Sequence, residues 1–427
     1  MKKITTRLLA LALTCPAIGL GFYTTDIPSP QGHANCFNDI FLQGDTRLKL
    51  RFRQEQVNDK SYRQLGTEPQ FPGRASTLST RLTYNTAPFY HVYGLLDFNN
   101  VTSYFNDHHN SGSNTTPSKI HYAVIPDPKG TALVQALLAF DGIPQTQIFF
   151  GRQNINLDNE RFVGTSDFRQ MPKTYDAVSI VNRSLTNVEL FYAFVDQVNT
   201  IYQGNQSAYF PQRANTTHLI NVTATLFPFG DFIAYGYLVH DFDFPQFSAN
   251  TYGLRYEGDF PFPDITFYTV MEYARQNSKK PNPIDYGANY YHLNGGFEWF
   301  VFDISGGLEV LGGNDREIGK AFKTPFASLH EFNGYAGKFT RTPNDGLKDL
   351  YAKAQINVWQ IILEATYHHF KAEADSDTFG HEWDFAIRRE LFKNYFLSVE
   401  YADFHGRKEY GYADTRKYWL TAAAKFC

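Results

Sequence analysis

A period of two runs through most of this chain. In Arg47-Leu48-Lys49-Leu50-Arg51-Phe52-Arg53 every odd position is cationic and every even one apolar. Thr251-Tyr252-Gly253-Leu254-Arg255-Tyr256-Glu257 repeats it with mixed charge, and His292, Asn294 and Glu298 alternate with Leu293, Phe297 and Trp299. Asp303, Ser305 and Glu309 do the same against Phe302, Ile304, Leu308 and Val310. Successive side chains of a strand point to opposite faces, so each stretch reads as a strand with one charged and one apolar face. The body has no run of the ~18 apolar residues that a spanning helix needs.

A soluble sandwich could carry the same alternation; the connections separate the two. About 18 candidate strands can be marked, from one near 42–56 to one near 415–426. Links at Thr86 to Pro88, Gly142 to Gln145, Pro228 to Gly230 and Phe300 are tight, whereas those through Asn110, Asn159, Asn205 and Asp345 are long and rich in Gly, Asn, Pro and Ser. Short links alternating with long ones mark an outer-membrane barrel, with turns in the periplasm and loops outside. The expected fold is an all-β, transmembrane antiparallel barrel of about 18 strands in the outer membrane of a Gram-negative bacterium. In the last strand Tyr418, Leu420, Ala422, Ala424 and Phe426 form an outward apolar set that resembles a barrel-insertion signal, with Cys427 as an extra final residue.

The N-terminus gives the route. Lys2, Lys3 and Arg7 precede a short apolar stretch from Leu8 to Gly21, the pattern of a secretory signal. Cleavage between 21 and 34 is expected, so 1–34 reads as signal peptide and 35–427 as a single barrel. Cleavage after Ala34 moves net charge from −4 to about −6 and removes Cys15. Cys36 and Cys427 then remain, one at each end, and an oxidising compartment permits a bridge between them or two unrelated thiols.

Composition agrees with a barrel. Aromatics make up 17% of the chain while mean hydropathy is −0.39. Outward Tyr252, Tyr256, Tyr273, Trp299, Tyr395 and Tyr401 are candidates for the girdles where lipid meets water. Lys and Arg number 39 against 43 Asp and Glu, which leaves no polyelectrolyte footprint for nucleic acid.

Three segments carry a resemblance. They are Val124-Ile125-Pro126-Asp127-Pro128-Lys129-Gly130-Thr131; the run from Gly151-Arg152-Gln153-Asn154 through Arg161-Phe162-Val163-Gly164 to Phe168-Arg169-Gln170 and Tyr175-Asp176-Ala177; and Phe322-Lys323-Thr324-Pro325-Phe326 through Phe332-Asn333-Gly334-Tyr335-Ala336 to Gly346-Leu347. From about residue 41 onward the chain resembles the alginate-export family of porin-like outer-membrane barrels. The resemblance implies a channel, and more narrowly polyuronate export. Asn99 departs from the pattern, standing where a carboxylate is common beside Asp97.

Two of those segments fall in long outer loops. Residues 153–173 are expected to fold inward, so that Arg152, Asp158, Glu160, Arg161 and Arg169 build a charged pore constriction. The alternative is that Arg161 and Arg169 pair with wall carboxylates and merely pin the loop. On the wall, Arg47, Lys49, Arg51, Arg53 and Arg81 form a basic strip, with Arg255 further round. Asp97, Glu257, Glu272, Glu298, Asp303, Glu309, Glu364, Asp384 and Glu400 are the acidic inward set. A Lys or Arg facing lipid at mid-depth costs roughly 2–4 kcal/mol, so charges on strands belong to the lumen. The strip would attract anions, or pair across strands with the acids and fill the lumen.

No phosphate loop, zinc spacing or nucleophile elbow appears, so neither an enzyme nor a cofactor is expected. The acidic loop at Glu373, Asp375 and Asp377 could take a calcium ion, but a solvated loop is the expected reading. The expected function is a monomeric channel for anionic or small polar solutes. The alternatives are a surface adhesin or antigen, or a barrel enzyme that modifies lipid.

Overall fold

The computed structural model of the protein describes residues 34–60, 71–227, 230–313, 317–375 and 377–426. The expected signal segment up to residue 33 lies outside the described residues, as does Cys427 and with it the Cys36–Cys427 pairing.

The alternating stretches form the strands β1 (Asp45–Asp59), β2 (Gly73–Asn85), β3 (Val92–His108), β4 (Gly130–Ile143), β5 (Thr146–Gln153), β6 (Thr174–Asn182), β7 (Val188–Asn199), β8 (Gln212–Phe227) and β9 (Gly230–Val239). The second half of the wall is β10 (Ala249–Pro261), β11 (Ile265–Ser278), β12 (Gly287–Trp299), β13 (Phe302–Leu311), β14 (Leu347–Val358), β15 (Ile361–Lys371), β16 (Thr378–Leu391), β17 (Tyr395–Gly406) and β18 (Thr415–Phe426). Each strand pairs antiparallel with its sequence neighbours, and β18 pairs with β1 from Leu48↔Phe426 to Asp59↔Thr415. The sheet is therefore a closed barrel of 18 strands, which leaves no edge to pair with another chain. A short helix, α1 (Phe37–Leu42), precedes β1, with exposed Cys36 at its N-cap.

Short turns gather at one end, at 86–91, 144–145, 300–301 and 359–360, and long connections at the other, at 109–129, 154–173, 200–211 and 312–346. Several tight turns place bulky residues at positive φ: Trp359 (52°) with Gln360 (64°), and Phe392 (54°) with Lys393 (65°). Two consecutive positive φ values match the right-handed strand twist, a geometry that Asn-Gly normally supplies. Here aromatic turn tips occupy it.

The period-two phase decides lipid or lumen for every side chain. Leu138, Leu254, Leu293, Leu350 and Val399 stand exposed on the outside, while their neighbours in sequence turn inward. Charged inward rows behind an apolar outer belt define a membrane-spanning barrel of the outer-membrane type. Of the girdle candidates, Tyr252, Tyr273, Trp299 and Tyr395 are exposed on that outer face.

The interior departs from a uniformly wet lumen. From β3 to β9 the inward face is largely apolar: Leu95, Leu137, Phe149, Tyr175, Phe191 and Leu219 are buried there. They form one cluster with Ile155, Leu157 and Phe162 of one long loop and Phe322 and Phe326 of another. Those loops bring the apolar surface that dries half the barrel. Inward charge concentrates on the other half, from β10 round to β2.

Candidate functional site

The site is the lumen where two loops meet. The 154–173 loop crosses it and touches the wall at three places. Near its start, Asn221 on β8 donates to both oxygens of Asp158 at 3.0 Å and the Tyr237 hydroxyl on β9 donates at 3.2 Å. In its middle, Arg161 is 2% exposed and its Nε lies 2.6 Å from Glu309 on β13. Its Nη2 donates to Asn333 at 2.9 Å, and its guanidinium lies over the Phe332 ring. Near its end the backbone lies against β1–β3.

That last contact absorbs two arginines of the basic strip. Arg51 donates through Nη1 to the Asp167 carbonyl at 2.6 Å, through Nη2 to the Arg169 carbonyl, and through Nε to Gln170 at 2.8 Å. Arg53 donates to the Phe168 carbonyl and to Thr421. The loop's own Arg169 pairs with Glu55 at 3.1 Å and with Asp127 at 3.6 Å. A buried carbonyl left without a donor costs about 1–3 kcal/mol, so these arginines fix the path of the loop.

Asn99, where the resemblance expects a carboxylate, has a role here. Its amide donates to the Gln170 carbonyl at 2.8 Å and it is 1% exposed. A carboxylate cannot donate. Asn99→Asp is therefore expected to loosen this end of the loop and lower thermal stability, by about 1–3 kcal/mol from the unpaired carbonyl. Unchanged melting and unchanged amide protection of 166–171 would contradict this.

The 312–346 connection completes the site. Ser328 donates to Glu160, Lys173 donates to the Phe326 carbonyl at 2.5 Å, and Val163 pairs with Phe326. Phe168, His330 and Tyr335 stack in sequence, with ring centroids 3.2 and 4.8 Å apart. Further on, the Tyr335 and Ala336 amides donate to Asp384 (3.0 Å) and Glu382 (2.6 Å) on β16. Gly334 (φ +82°) makes this approach possible, since a Cβ there would come within 2.6 Å of the Glu382 carboxylate. The loops thus lock to each other as well as to the wall.

Arg152 is the exception among the constriction candidates. It shares the phase of Phe150, 64% exposed on the outer face, and pairs with Asp176 at 2.7 Å. It belongs to the outer surface of β5, because the strand phase set by inward Phe149 still holds three residues on. The strip also has less reach than its sequence suggests. Arg81 pairs with Asp97 at 2.6 Å, and Arg47 lies 3.3 Å from Asp45. Arg255 sits across the barrel on β10 and is held by Glu257 and Glu272, each at 2.6 Å.

The remaining acids face inward. Glu364 pairs with Lys353 (2.8 Å) and Arg388 (3.2 Å), and Glu400 with Arg388 (3.4 Å). Tyr268 donates to Asp303, and Asp384 lies 3.6 Å from His368. Of these acids, Asp303 and Glu364 line, with Glu298 and Glu309, the acidic side of a cavity of about 780 Å³, bounded by Asn159 and Phe332 of the two loops. Among the described residues, no group of three His, Cys, Asp or Glu side chains is arranged to hold a metal ion.

Glu55, Asp127, Gln170 and His330 also belong to the site although their roles were not marked from the sequence. Glu55 could have been found, for it continues the odd-numbered row from Arg47 to Arg53. Asp127 and His330 could not, because their contacts join segments far apart in the chain.

Burial holds the Asp158 carboxyl up at about 7. The docked loop therefore favours the protonated acid, and its docking weakens as pH rises through about 7. Asp158→Asn is expected to leave amide exchange of 155–165 unchanged at about pH 3, below the ordinary carboxyl value, and to slow it at pH 8. Equal exchange of variant and parent at pH 8 would contradict it.

No protein-family model matches the chain, and no curated protein matches its sequence. Solved structures do. A crystal structure of OccAB2 from Acinetobacter baumannii is 13% identical, with a TM-score of 0.67 over 91% of this chain and 99% of that one. OccK9 (OpdG) of Pseudomonas aeruginosa is 11% identical, with a TM-score of 0.68 over 91% and 99%. OpdK of Pseudomonas aeruginosa, solved with vanillate, is 11% identical, with a TM-score of 0.65 over 90% and 98%. At these identities the likeness is one of fold. The chain has the architecture of a porin-like outer-membrane barrel, and its outer belt places it in the outer membrane of a Gram-negative bacterium.

Proposed function

We propose that the protein is a passive channel for small anionic or polar solutes, acting as a monomer, with loops 154–173 and 312–346 as its constriction. One observation carries the reading. On the inner wall Lys425, Lys49 and Arg81 stand directly opposite one another on β18, β1 and β2. Like charges in register destabilise a sheet. The loop's Asp167, 3.8 Å from Arg81, offsets them in part, and a passing anion would stabilise them further. Across the lumen the cavity wall bears Glu298, Asp303 and Glu364, so a solute crosses between a basic and an acidic side.

Polyuronate export is the narrower version, supported by the three sequence segments alone. A cavity of about 780 Å³ roofed by interlocked loops suits a solute of monomer size better than a polymer. The OpdK structure with vanillate, a small aromatic carboxylate, fits the broader version.

Liposome swelling tests it. Proteoliposomes should admit small monocarboxylates faster than neutral sugars of equal size, and Lys49→Gln with Lys425→Gln should remove most of that preference. Equal rates for carboxylate and sugar in the parent protein would overturn the anionic reading, and block by alginate oligomers would favour the narrower one.

A further inference from the structure

The outer face of β15–β18 is layered from one membrane border to the other. Nearest the short turns, Leu363, Ile387, Val399 and Leu420 form a cross-strand apolar row, each 43–50% exposed. Next come aromatics, with Tyr401 against Tyr418 at 4.8 Å and Tyr367 against Trp383 at 4.9 Å between ring centroids. Beyond them lies a row of three histidines: His369 is opposite His381, and His381 is opposite His405. The His381 and His405 rings stack at 5.2 Å. At about 3.4 Å per residue and a tilt near 40°, this row lies roughly 20 Å from the turn at 359–360, the outer border of a ~25 Å apolar band.

Cations surround the row. Lys371 follows His369 on the outward phase of β15, Arg407 follows the end of β17, and Arg416 stands on β18. Asp403 is the acid facing them, 3.4 Å from His405 and 3.0 Å from Arg416, and Asp414 pairs with Lys60. Lys371 and Arg407 make no ion pair among the described residues. Two outer charges elsewhere on the wall are satisfied internally: Arg152 by Asp176, and Arg275 by Asn289 at 3.0 Å.

We propose that His369, His381 and His405, with Lys371, Arg407 and Arg416, bind the phosphate groups of an outer-leaflet glycolipid. The depth is that of the lipid headgroup, the aromatic rows beneath give its acyl chains and sugar an apolar bed, and the net cationic rim complements phosphate. Imidazole N–H groups and guanidinium forks both donate to phosphate oxygens. The proposal rests on the outer-membrane placement and is independent of what crosses the lumen.

Native mass spectrometry of the full chain in detergent tests it, with bis-phosphorylated lipid A and its dephosphorylated form as probes. The parent should bind the phosphorylated lipid about tenfold more tightly, by the strength of charge-assisted hydrogen bonds. The triple variant His369→Gln, His381→Gln, His405→Gln should lose most of that preference. Lys371→Gln with Arg407→Gln, at or beyond strand ends, provides the same test should the triple variant not fold. Equal affinity of the parent for both lipids, or an unchanged preference in the folded variants, would overturn the proposal.

Discussion

Deleting residues 155–170 is expected to raise single-channel conductance at least about threefold, since it removes the segment that crosses the lumen. The loop reaches β8 and β9 through Asp158, β13 through Arg161 and β1–β3 through residues 167–170. Its removal also takes away Ser328's acceptor Glu160 and Phe168, the ring on which His330 stacks. The second loop then loses one side of its support, so the open cross-section should grow by more than the deleted volume. A folded barrel, checked by its heat-modifiable mobility on gels, with parental conductance would contradict this arrangement.

Arg161→Ala should have the largest effect of any single substitution. Arg161 and Glu309 are 2% and 4% exposed, and Asn333 bridges them. Removing one partner of a buried pair leaves the other charged and unpaired, a cost of about 3–5 kcal/mol. The lower-cost outcome is for the loop to undock, so the variant should show a lowered melting temperature and noisy, larger conductance steps. Replacing both partners with Leu should recover much of the stability, because the neighbouring Phe162, Tyr290 and Phe322 offer apolar packing. If Arg161→Ala melts like the parent, the pair does not hold the loop.

Much of this was legible in the chain, and the reason is the period of two. Alternation fixes which face each residue takes, so the inward acids Glu272, Glu309, Glu364 and Glu400 could be named from their neighbours alone. The sorting of links into short and long oriented the barrel. Alternation says nothing of what fills a barrel. The apolar inward residues of β3–β9 read as ordinary strand positions until loops 154–173 and 312–346 are seen to pack on them. Arg152 was misplaced for a related reason, because the motif around it suggested a loop while β5 carries its phase through Gln153. The three segments of the resemblance prove to be mutual contacts: Asp127 meets Arg169 and the Gln170 amide, and Val163 meets Phe326. What looked like separate motifs is one interlocked body inside the lumen.

The channel reading meets its most direct test in a planar bilayer holding the parent protein under a tenfold KCl gradient. Discrete conductance steps are expected, with a reversal potential on the chloride side, moving toward zero in Lys49→Gln with Lys425→Gln. Absence of steps from protein shown to be folded, or a reversal potential on the potassium side, would contradict it.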